Sequence, residues 1–142
     1  MKIQTALSAE DILKSTEVMQ ALRPQLNSQN IAPIILDMIT RGYHLIFIEE
    51  DGKAVCASGY RFTEHLAWGK VIYVDDLSTL DGSRKKGYAR ALLDYIVAEA
   101  RTNHCQSVHL DSGCVPQRYD AHRMYLKYGF NITSHHFALK IS

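Results

Sequence analysis

Arg84-Lys85-Lys86-Gly87-Tyr88-Ala89, residues 84–89, form a basic turn that contains one glycine. The apolar residues 71–79 before it predict a strand, and apolar residues recur after it at helical spacing as far as about Arg101. A turn that opens a helix presents N–H groups without a partner in the helix, at the positive end of the helix dipole. Such groups, with cations beside them, suit a pyrophosphate. Gly87 allows close approach because it has no Cβ.

Two other kinds of phosphate-binding loop are excluded by the residues around this turn. Gly82 and Gly87 have the spacing of the glycines in a Walker A loop, but Tyr88 and Ala89 stand where that loop requires Lys and Ser or Thr. A Gly-x-Gly-x-x-Gly dinucleotide fingerprint is absent from the sequence. The plain structural alternative is a basic surface turn that only begins an amphipathic helix.

The composition is that of one ordinary globular domain. The chain has 142 residues, of which 46% are hydrophobic and 22% are charged. This length supports one sizeable core, so we expect residues 1–142 to form a single domain. The net charge of +1 gives no indication of a nucleic-acid partner.

The cysteines and the apolar segments predict a cytoplasmic protein. Cys56, Cys105 and Cys114 are odd in number and lack C-x-x-C spacing, so we expect buried free thiols rather than disulfides or a zinc site. Residues 1–5 lack the apolar region of a signal peptide, and no run approaches the length of a membrane span. His135 and His136 have no convincing metal-binding partner, so no metal is predicted.

The order of predicted elements indicates the fold class. Strands are predicted at residues 2–7, 43–49, 53–62, 66–79, 106–110 and 130–141, and helices at residues 8–23, 28–40, 87–101 and 116–128. Asp51-Gly52 predicts a tight hairpin turn, and residues 63–65 are expected to form a loop. The order β-α-α-β-β-β-α-β-α-β predicts an α/β (α+β) fold with a central mixed sheet flanked by helices.

The basic turn has the pattern Arg/Gln-x-x-Gly-x-Gly/Ala and resembles the acetyl-CoA loop of the GNAT N-acetyltransferase superfamily. The element order is similar to that of the superfamily, and so is a second signature, Ala121 and Tyr125 on one helix followed by Gly129 and Phe130. Two signatures in the right order are more specific than either alone. The Asp75-Asp76-Leu77 strand end and the helix start at residues 120–125 (Asp-Ala-His-Arg-x-Tyr) also resemble a group of small bacterial members. One departure is that Lys85 stands where the family loop often has Gly.

This resemblance implies acetyl-CoA as the acyl donor, and no metal. It assigns donor binding to two stretches, the end of the strand before the loop and the loop with the helix start: Leu77, Ser78, Thr79, Arg84, Lys85, Lys86, Gly87, Tyr88, Ala89 and Arg90. The backbone of the first stretch pairs with the pantetheine arm in the family. We expect its N–H groups also to polarise the thioester carbonyl.

The resemblance gives Tyr125 the role of protonating the departing thiolate, which is feasible for a phenol. Its position on an apolar helix stripe is equally typical of a core aromatic residue. Asp76 is the expected base, because it immediately precedes the stretch that pairs with pantetheine. Strand alternation should turn the adjacent Asp75 to the opposite face. His122 is a rival base, since an imidazole titrates near neutral pH.

The predicted acceptor is a primary amine of a small molecule or peptide. Glu64, Asp75, Asp111 and His122 are candidates for binding it, although each also suits an ordinary surface or turn position. The sequence therefore predicts an acetyl-CoA-dependent N-acetyltransferase, with no nucleic-acid or membrane partner. A non-catalytic acyl-CoA-binding sensor is the alternative, and a homodimer is left open.

Overall fold

The computed structural model of this protein describes residues 1–27 and 29–142. The described residues form two compact units, residues 1–109 and residues 110–142. Ser28, the predicted first residue of the second helix, lies outside the described residues.

The first unit contains a sheet and three helices. Its elements in chain order are β1 (Gln4–Thr5), α1 (Ala9–Leu22), α2 (Ile31–Thr40), β2 (His44–Glu50), β3 (Lys53–His65), β4 (Gly69–Thr79), a 3-10 turn (Asp81–Ser83), α3 (Tyr88–Thr102) and β5 (Ser107–Leu110), whose last residue begins the second unit. The strands lie in the order β1-β2-β3-β4-β5, and the first four pair antiparallel. The predicted fold class, with one mixed sheet, is confirmed.

Helix α1 begins where the sequence predicts, and for the predicted reason. The Ser8 hydroxyl accepts a hydrogen bond from the Asp11 N–H at 3.2 Å, and the Asp11 carboxylate accepts one from the Leu7 N–H at 3.0 Å. The buried faces of α1 and α2 form a core with β2 and β3: Ile12, Val18, Met19, Ile31, Ile35, Leu45, Phe47 and Ala57. This core places both helices over the same part of the sheet.

The sequence predicts the turn of the first hairpin correctly and misplaces the turn of the second. The β2–β3 turn is the predicted one, with Asp51 and Gly52 both at positive φ, 53° and 82°. The predicted loop at residues 63–65 is wrong, because cross-strand pairing continues to His65↔Gly69. The turn lies instead at residues 66–68, and Gly69 follows it with a φ of 71°. Thr63 and His65 are polar, but their side chains suit an exposed strand equally well.

A β-bulge interrupts the pairing of β3 with β4. Gly59 pairs with Asp76, whereas the next residue, Tyr60, pairs with Val74. Asp75 is therefore the extra residue on β4. A bulge breaks the regular alternation of side chains across a strand. The consequence is that Asp75 and Asp76 do not have to point to opposite faces.

The second unit contains one α-helix. Helix α4 (Tyr119–Tyr128) follows a 3-10 turn (Pro116–Arg118) and ends at Gly129, which has a φ of 124°. The strand predicted over residues 130–141 does not form, and the apolar side chains from Ile132 onward are exposed, with Phe137 at 92%. Alternating apolar residues favour a strand, but a strand also requires a hydrogen-bonded neighbour, which alternation does not provide.

We predict that Gly59→Ala destabilises the fold. A Cβ at Gly59 would lie 1.6 Å from the Tyr43 hydroxyl oxygen, and Tyr43 is only 2% exposed. The ring must therefore move within a packed core, at a cost of about 1–3 kcal/mol. Thermal denaturation should show a lower midpoint.

Gly82→Ala is the matched control for that substitution. An added Cβ at Gly82 meets no atom within 4 Å, and Gly82 is not at positive φ. Its melting temperature should stay close to that of the wild type. Equal melting temperatures for the two variants would show that the Gly59 contact is not constraining.

Candidate active site

The loop before α3 presents its backbone to the outside. Lys85 and Gly87 both have positive φ, 64° and 81°, and Gly87 is the N-cap of α3. A Cβ placed on Gly87 meets no atom within 4 Å, so the space in front of it is open. Successive N–H groups at a helix start with left-handed residues form an anion-binding concavity. This geometry suits a phosphate group.

Cationic side chains surround this concavity. Arg84, Lys85 and Lys86 are all exposed, and Arg84 forms an ion pair of 3.1 Å with Asp81. The Glu50 carboxylate at the end of β2 accepts hydrogen bonds from the Tyr88 hydroxyl at 2.5 Å and from the Lys86 ammonium at 3.2 Å.

The hydrogen bond from Tyr88 is the largest cause that lowers the pKa of Glu50, and the hydrogen bond from Lys86 is the second. Glu50 therefore stays ionised near neutral pH and holds both ends of the loop segment 86–88 against β2.

The end of β4 leads directly into this loop. Leu77, Ser78 and Thr79 pair with residues of β3, and the Thr79 hydroxyl lies 3.2 Å from the Cys56 sulfur. Burial raises the pKa of the Cys56 thiol to about 11, so this thiol is protonated and not a nucleophile at neutral pH. All three cysteines are free, as predicted, but only Cys56 is buried, and Cys114 is exposed.

Asp76 on β4 forms a network with two side chains, Arg23 directly after α1 and Tyr43 directly before β2. Its Oδ1 accepts a hydrogen bond from Arg23 Nε at 3.0 Å, and its Oδ2 accepts one from the Tyr43 hydroxyl at 2.6 Å. Arg23 Nη2 also donates to the Asp75 carbonyl oxygen at 2.9 Å. The Asp76 side chain is only 12% exposed, so its carboxylate is both shielded and held in one orientation.

The Asp75 carboxylate has its own guanidinium partner. Arg61 Nε and Nη2 donate to Asp75 in a two-point contact, at 3.1 Å and 2.5 Å. The hydrogen bond to Asp75 is the main cause that raises the pKa of Arg61. The Arg61 guanidinium also lies over the Tyr43 ring, 5.7 Å from its centre. The two carboxylates are therefore balanced by two guanidinium groups.

Tyr43 remains a neutral hydrogen-bond donor in this cluster. Burial, and after it the charge of Asp76, raises the pKa of Tyr43 well above its ordinary value. The phenol therefore keeps its proton at neutral pH and donates a hydrogen bond to Asp76. The missing side chain of Gly59 leaves the room that this hydroxyl needs.

A cavity of about 400 Å³ opens above the carboxylates. It is lined by residues of α1, of α2 and the chain before it, and of β4, together with Tyr43: Met19, Arg23, Gln25, Leu26, Ile31, Ile34, Ile35, Met38, Tyr43, Tyr73, Asp75 and Asp76. Both aspartates line this one cavity. The prediction that alternation turns Asp75 away from Asp76 is therefore wrong, and the bulge at Asp75 is the physical reason.

Glu64, a predicted acceptor-binding residue, lies elsewhere in the first unit. It is exposed and pairs with Lys70 near the β3–β4 turn, five residues along β3 from Gly59. Five residues of strand span roughly 17 Å. Because Gly59 is the partner of Asp76, the strand register does not bring Glu64 to the carboxylate pair.

The predicted residues of the second unit form local contacts there. Asp111 lies 3.5 Å from His136 Nδ1. His122 Nε2 lies 2.8 Å from the Gly113 carbonyl oxygen and 3.0 Å from the Ser112 hydroxyl. A carbonyl oxygen can only accept, so His122 Nε2 is the donor in that bond. Nε2 therefore carries the proton of the neutral ring, and the lone pair lies on Nδ1.

Tyr125 is buried on α4. Its ring packs edge-on against Phe130 with centres 5.9 Å apart. Burial raises the pKa of Tyr125, and the Arg118 guanidinium acts in the opposite direction. The phenol is therefore protonated at neutral pH, which a proton donor requires.

Four residues of the cavity cluster were missed by sequence reasoning: Arg23, Tyr43, Gly59 and Arg61. Arg23 follows α1, Tyr43 precedes β2, and Gly59 and Arg61 lie on β3; none of them belongs to a motif. Among these four residues, only Arg23 had a local sequence feature that could have indicated a role in the site: it is an isolated cation between the end of α1 and Pro24.

Over the described ranges, residues 1–27 and 29–142, no group of three or more His, Cys, Asp or Glu side chains is arranged to hold a metal ion. Within the same ranges, no helix has the length and apolar character that crossing a membrane requires.

Comparisons with known proteins agree with one another. The sequence model of the acetyltransferase (GNAT) family matches residues 11–130. An uncharacterized N-acetyltransferase of Bacillus subtilis (strain 168), YhdJ, is 32% identical over 134 residues, which cover 92% of each chain.

Solved structures show the same fold. The ribosomal-protein-alanine N-acetyltransferase from Brucella melitensis biovar Abortus 2308 superposes with a TM-score of 0.82 at 17% identity, over 99% of this chain and 100% of that one. The aminoglycoside N-acetyltransferase AAC(6')-Iy, in complex with CoA, superposes with a TM-score of 0.83 at 12% identity, over 99% and 93% of the two chains.

Proposed function

The chain belongs to the acetyltransferase (GNAT) family, and we propose that it moves an acetyl group from acetyl-CoA to a primary amine of a small molecule or peptide. One observation carries this proposal. A single strand, β4, holds the carboxylate pair at the cavity and then leads into the open anion-binding loop before α3. An acceptor site and a donor site thus adjoin on one rigid element. Residues 1–142 are then one catalytic domain.

Acetyl-CoA is the proposed donor, and its pyrophosphate is assigned to the loop. The N–H groups that follow Gly87 and the cations Arg84, Lys85, Lys86 and Arg90 supply the attraction. Leu77, Ser78 and Thr79 pair with the pantetheine arm through their backbone. The relative AAC(6')-Iy, whose crystal contains CoA, supports this choice of donor.

The acceptor amine is assigned to the cavity. An ammonium is attracted by Asp75 and Asp76 and must lose its proton before it can attack. Asp76 is the proposed base, acting through water, because Tyr43 and Arg23 hold its carboxylate in one orientation. Asp75 then adds negative charge beside it. His122 is the alternative base, because a ring whose Nε2 donates to Gly113 has its lone pair on Nδ1.

The reaction then proceeds by direct transfer. The amine nitrogen attacks the thioester carbon, while N–H groups of residues 77–79 stabilise the charge that develops on oxygen. The carbon–sulfur bond breaks, and the leaving thiolate takes a proton from the Tyr125 hydroxyl. The raised pKa of Tyr125 keeps that proton in place until the thiolate forms.

We predict that Gly87→Glu strongly weakens acetyl-CoA binding. The new side chain would fill the open space in front of the loop and would repel phosphate. Calorimetry should show at least a roughly 10-fold rise in Kd, which corresponds to about 1.4 kcal/mol.

Gly52→Glu is the control for this variant. Gly52 has almost the same φ, 82° against 81°, and equally open surroundings, but it lies in the β2–β3 turn. Backbone strain is therefore matched. Equal affinities in the two variants, with both folded, would remove the loop from the donor site.

We predict that Tyr125→Phe lowers kcat much more than it changes the KM for acetyl-CoA. A proton donor acts mainly in the transition state, and such groups contribute roughly 10²- to 10⁴-fold. Tyr119→Phe, at an exposed position of the same helix, should retain wild-type rates. Single-turnover kinetics measure the chemical step, and an unchanged rate in Tyr125→Phe would leave this tyrosine only a packing role.

We predict that Asp76→Asn and Asp75→Asn both lower kcat/KM for the amine and leave acetyl-CoA affinity nearly unchanged. Each substitution removes a charge that faces the cavity and leaves a guanidinium without its carboxylate. Asp37→Asn, at an exposed position of α2, is the control. Wild-type kcat/KM in Asp76→Asn across the pH profile would exclude it as the base.

A further inference from the structure

Most of the residues that line the cavity have apolar side chains. The uncharged polar ones are Gln25, Tyr43 and Tyr73, and the part of the cavity formed by Asp75 and Asp76 is called its floor below. Six side chains on α1, on α2 and just before it form the wall: Met19, Leu26, Ile31, Ile34, Ile35 and Met38. The charged side chains among the lining residues that the structure describes are Arg23, Asp75 and Asp76. A cation that enters the cavity therefore meets carboxylates only at the floor. Against the apolar side chains of the wall it would lose water and gain no charged partner.

The charge at the floor accommodates one cation at most. Asp75 is paired with Arg61 and Asp76 with Arg23, so the cluster of four groups is balanced. The Arg23 side chain is 41% exposed, whereas that of Asp76 is 12% exposed. Arg23 is therefore the partner that can shift towards solvent when an ammonium approaches Asp76. A second ammonium on the same molecule would find no free carboxylate among these residues.

We propose that the acceptor is a primary monoamine that carries a compact apolar alkyl or aryl group. The nitrogen lies at Asp75 and Asp76, and the apolar group packs between α1 and α2. This inference rests on the proposed function, and it narrows that function by discriminating against polyamines and aminoglycosides. A cavity of about 400 Å³ is of the size that encloses a small molecule.

The expected selectivity follows from burial. Each methylene removed from water contributes about 0.8 kcal/mol, so binding should strengthen about 4-fold for each added methylene until the cavity is full. An ammonium added at the far end of the chain reverses this gain, because the charge must be desolvated against an apolar wall. Pentylamine should therefore bind at least about 10-fold more tightly than 1,5-diaminopentane, a difference of about 1.4 kcal/mol.

The first experiment measures affinity and transfer separately. The affinities of propylamine, butylamine, pentylamine and 1,5-diaminopentane are determined by calorimetry in the presence of CoA, and the kcat/KM of each is determined with acetyl-CoA. The inference requires the affinity to rise along the monoamine series and to fall for the diamine. A diamine that binds as tightly as pentylamine overturns it, and so does the absence of binding by any monoamine. A peptide amine that binds more tightly than every alkylamine overturns it as well.

These readouts separate the inference from the proposed function. If the affinities follow the expected order but no amine is acetylated, the cavity assignment stands and the proposed activity fails. If several amines are acetylated without preference for the apolar ones, the activity stands and the inference fails.

A pair of variants on one helix tests the wall directly. Ile34 lines the cavity and is 40% exposed, whereas Leu36 is 49% exposed and is not among the lining residues. Ile34→Glu places a carboxylate in the wall and should shift the affinity ratio towards 1,5-diaminopentane by about 10-fold or more. Leu36→Glu adds the same charge to α2 outside the cavity and should leave the ratio unchanged. Equal ratios in the two variants, with wild-type melting temperatures, would overturn the inference.

Discussion

The hydrogen bond from Tyr43 to Asp76 is the interaction on which the candidate site depends. It joins the residue before β2 to β4 across the intervening strand β3, and it forms only because Gly59 has no side chain. A buried hydrogen bond to a charged group contributes about 1.5–3 kcal/mol, and more is lost when one partner remains unpaired. The contact therefore fixes the orientation of a carboxylate that would otherwise be costly to bury.

The bulge on β4 extends this arrangement to a second carboxylate. Because Asp75 is the extra residue, it lines the same cavity as Asp76 instead of facing the opposite side of the sheet. The Ser58 hydroxyl donates to the Asp76 carbonyl oxygen at 2.7 Å and so supports the backbone next to the bulge. Arg61 and Arg23 then balance the two charges. Local irregularity in one strand thus places two carboxylates at the floor of a largely apolar cavity.

Strand β4 also connects this floor to the loop before α3. Thr79 ends the strand, and Gly87 begins the helix eight residues later. Glu50 on β2 holds Lys86 and Tyr88, so the loop is tied to the sheet as well as to the helix. Both candidate subsites are therefore positioned by the same sheet, which is the rigid support that a transfer reaction between two bound groups requires.

The sequence by itself determined those features that depend on neighbouring residues. The Ser8 cap, the Asp51-Gly52 turn and the glycine loop with its helix are each defined by local backbone preferences, so their residue types indicate them directly. Alternation of apolar residues did not suffice for residues 130–141, where no strand forms.

Only the tertiary structure decided how the cavity is built. The partners of Asp76, Arg23 and Tyr43, are separated from it by 53 and 33 residues in the chain. Their approach depends on how α1 packs on the sheet and on the register of β3 against β4, which shifts by one residue at the bulge. A one-residue shift reverses the face to which a side chain points. No pattern within a single strand predicts that shift, because it is a property of two strands together.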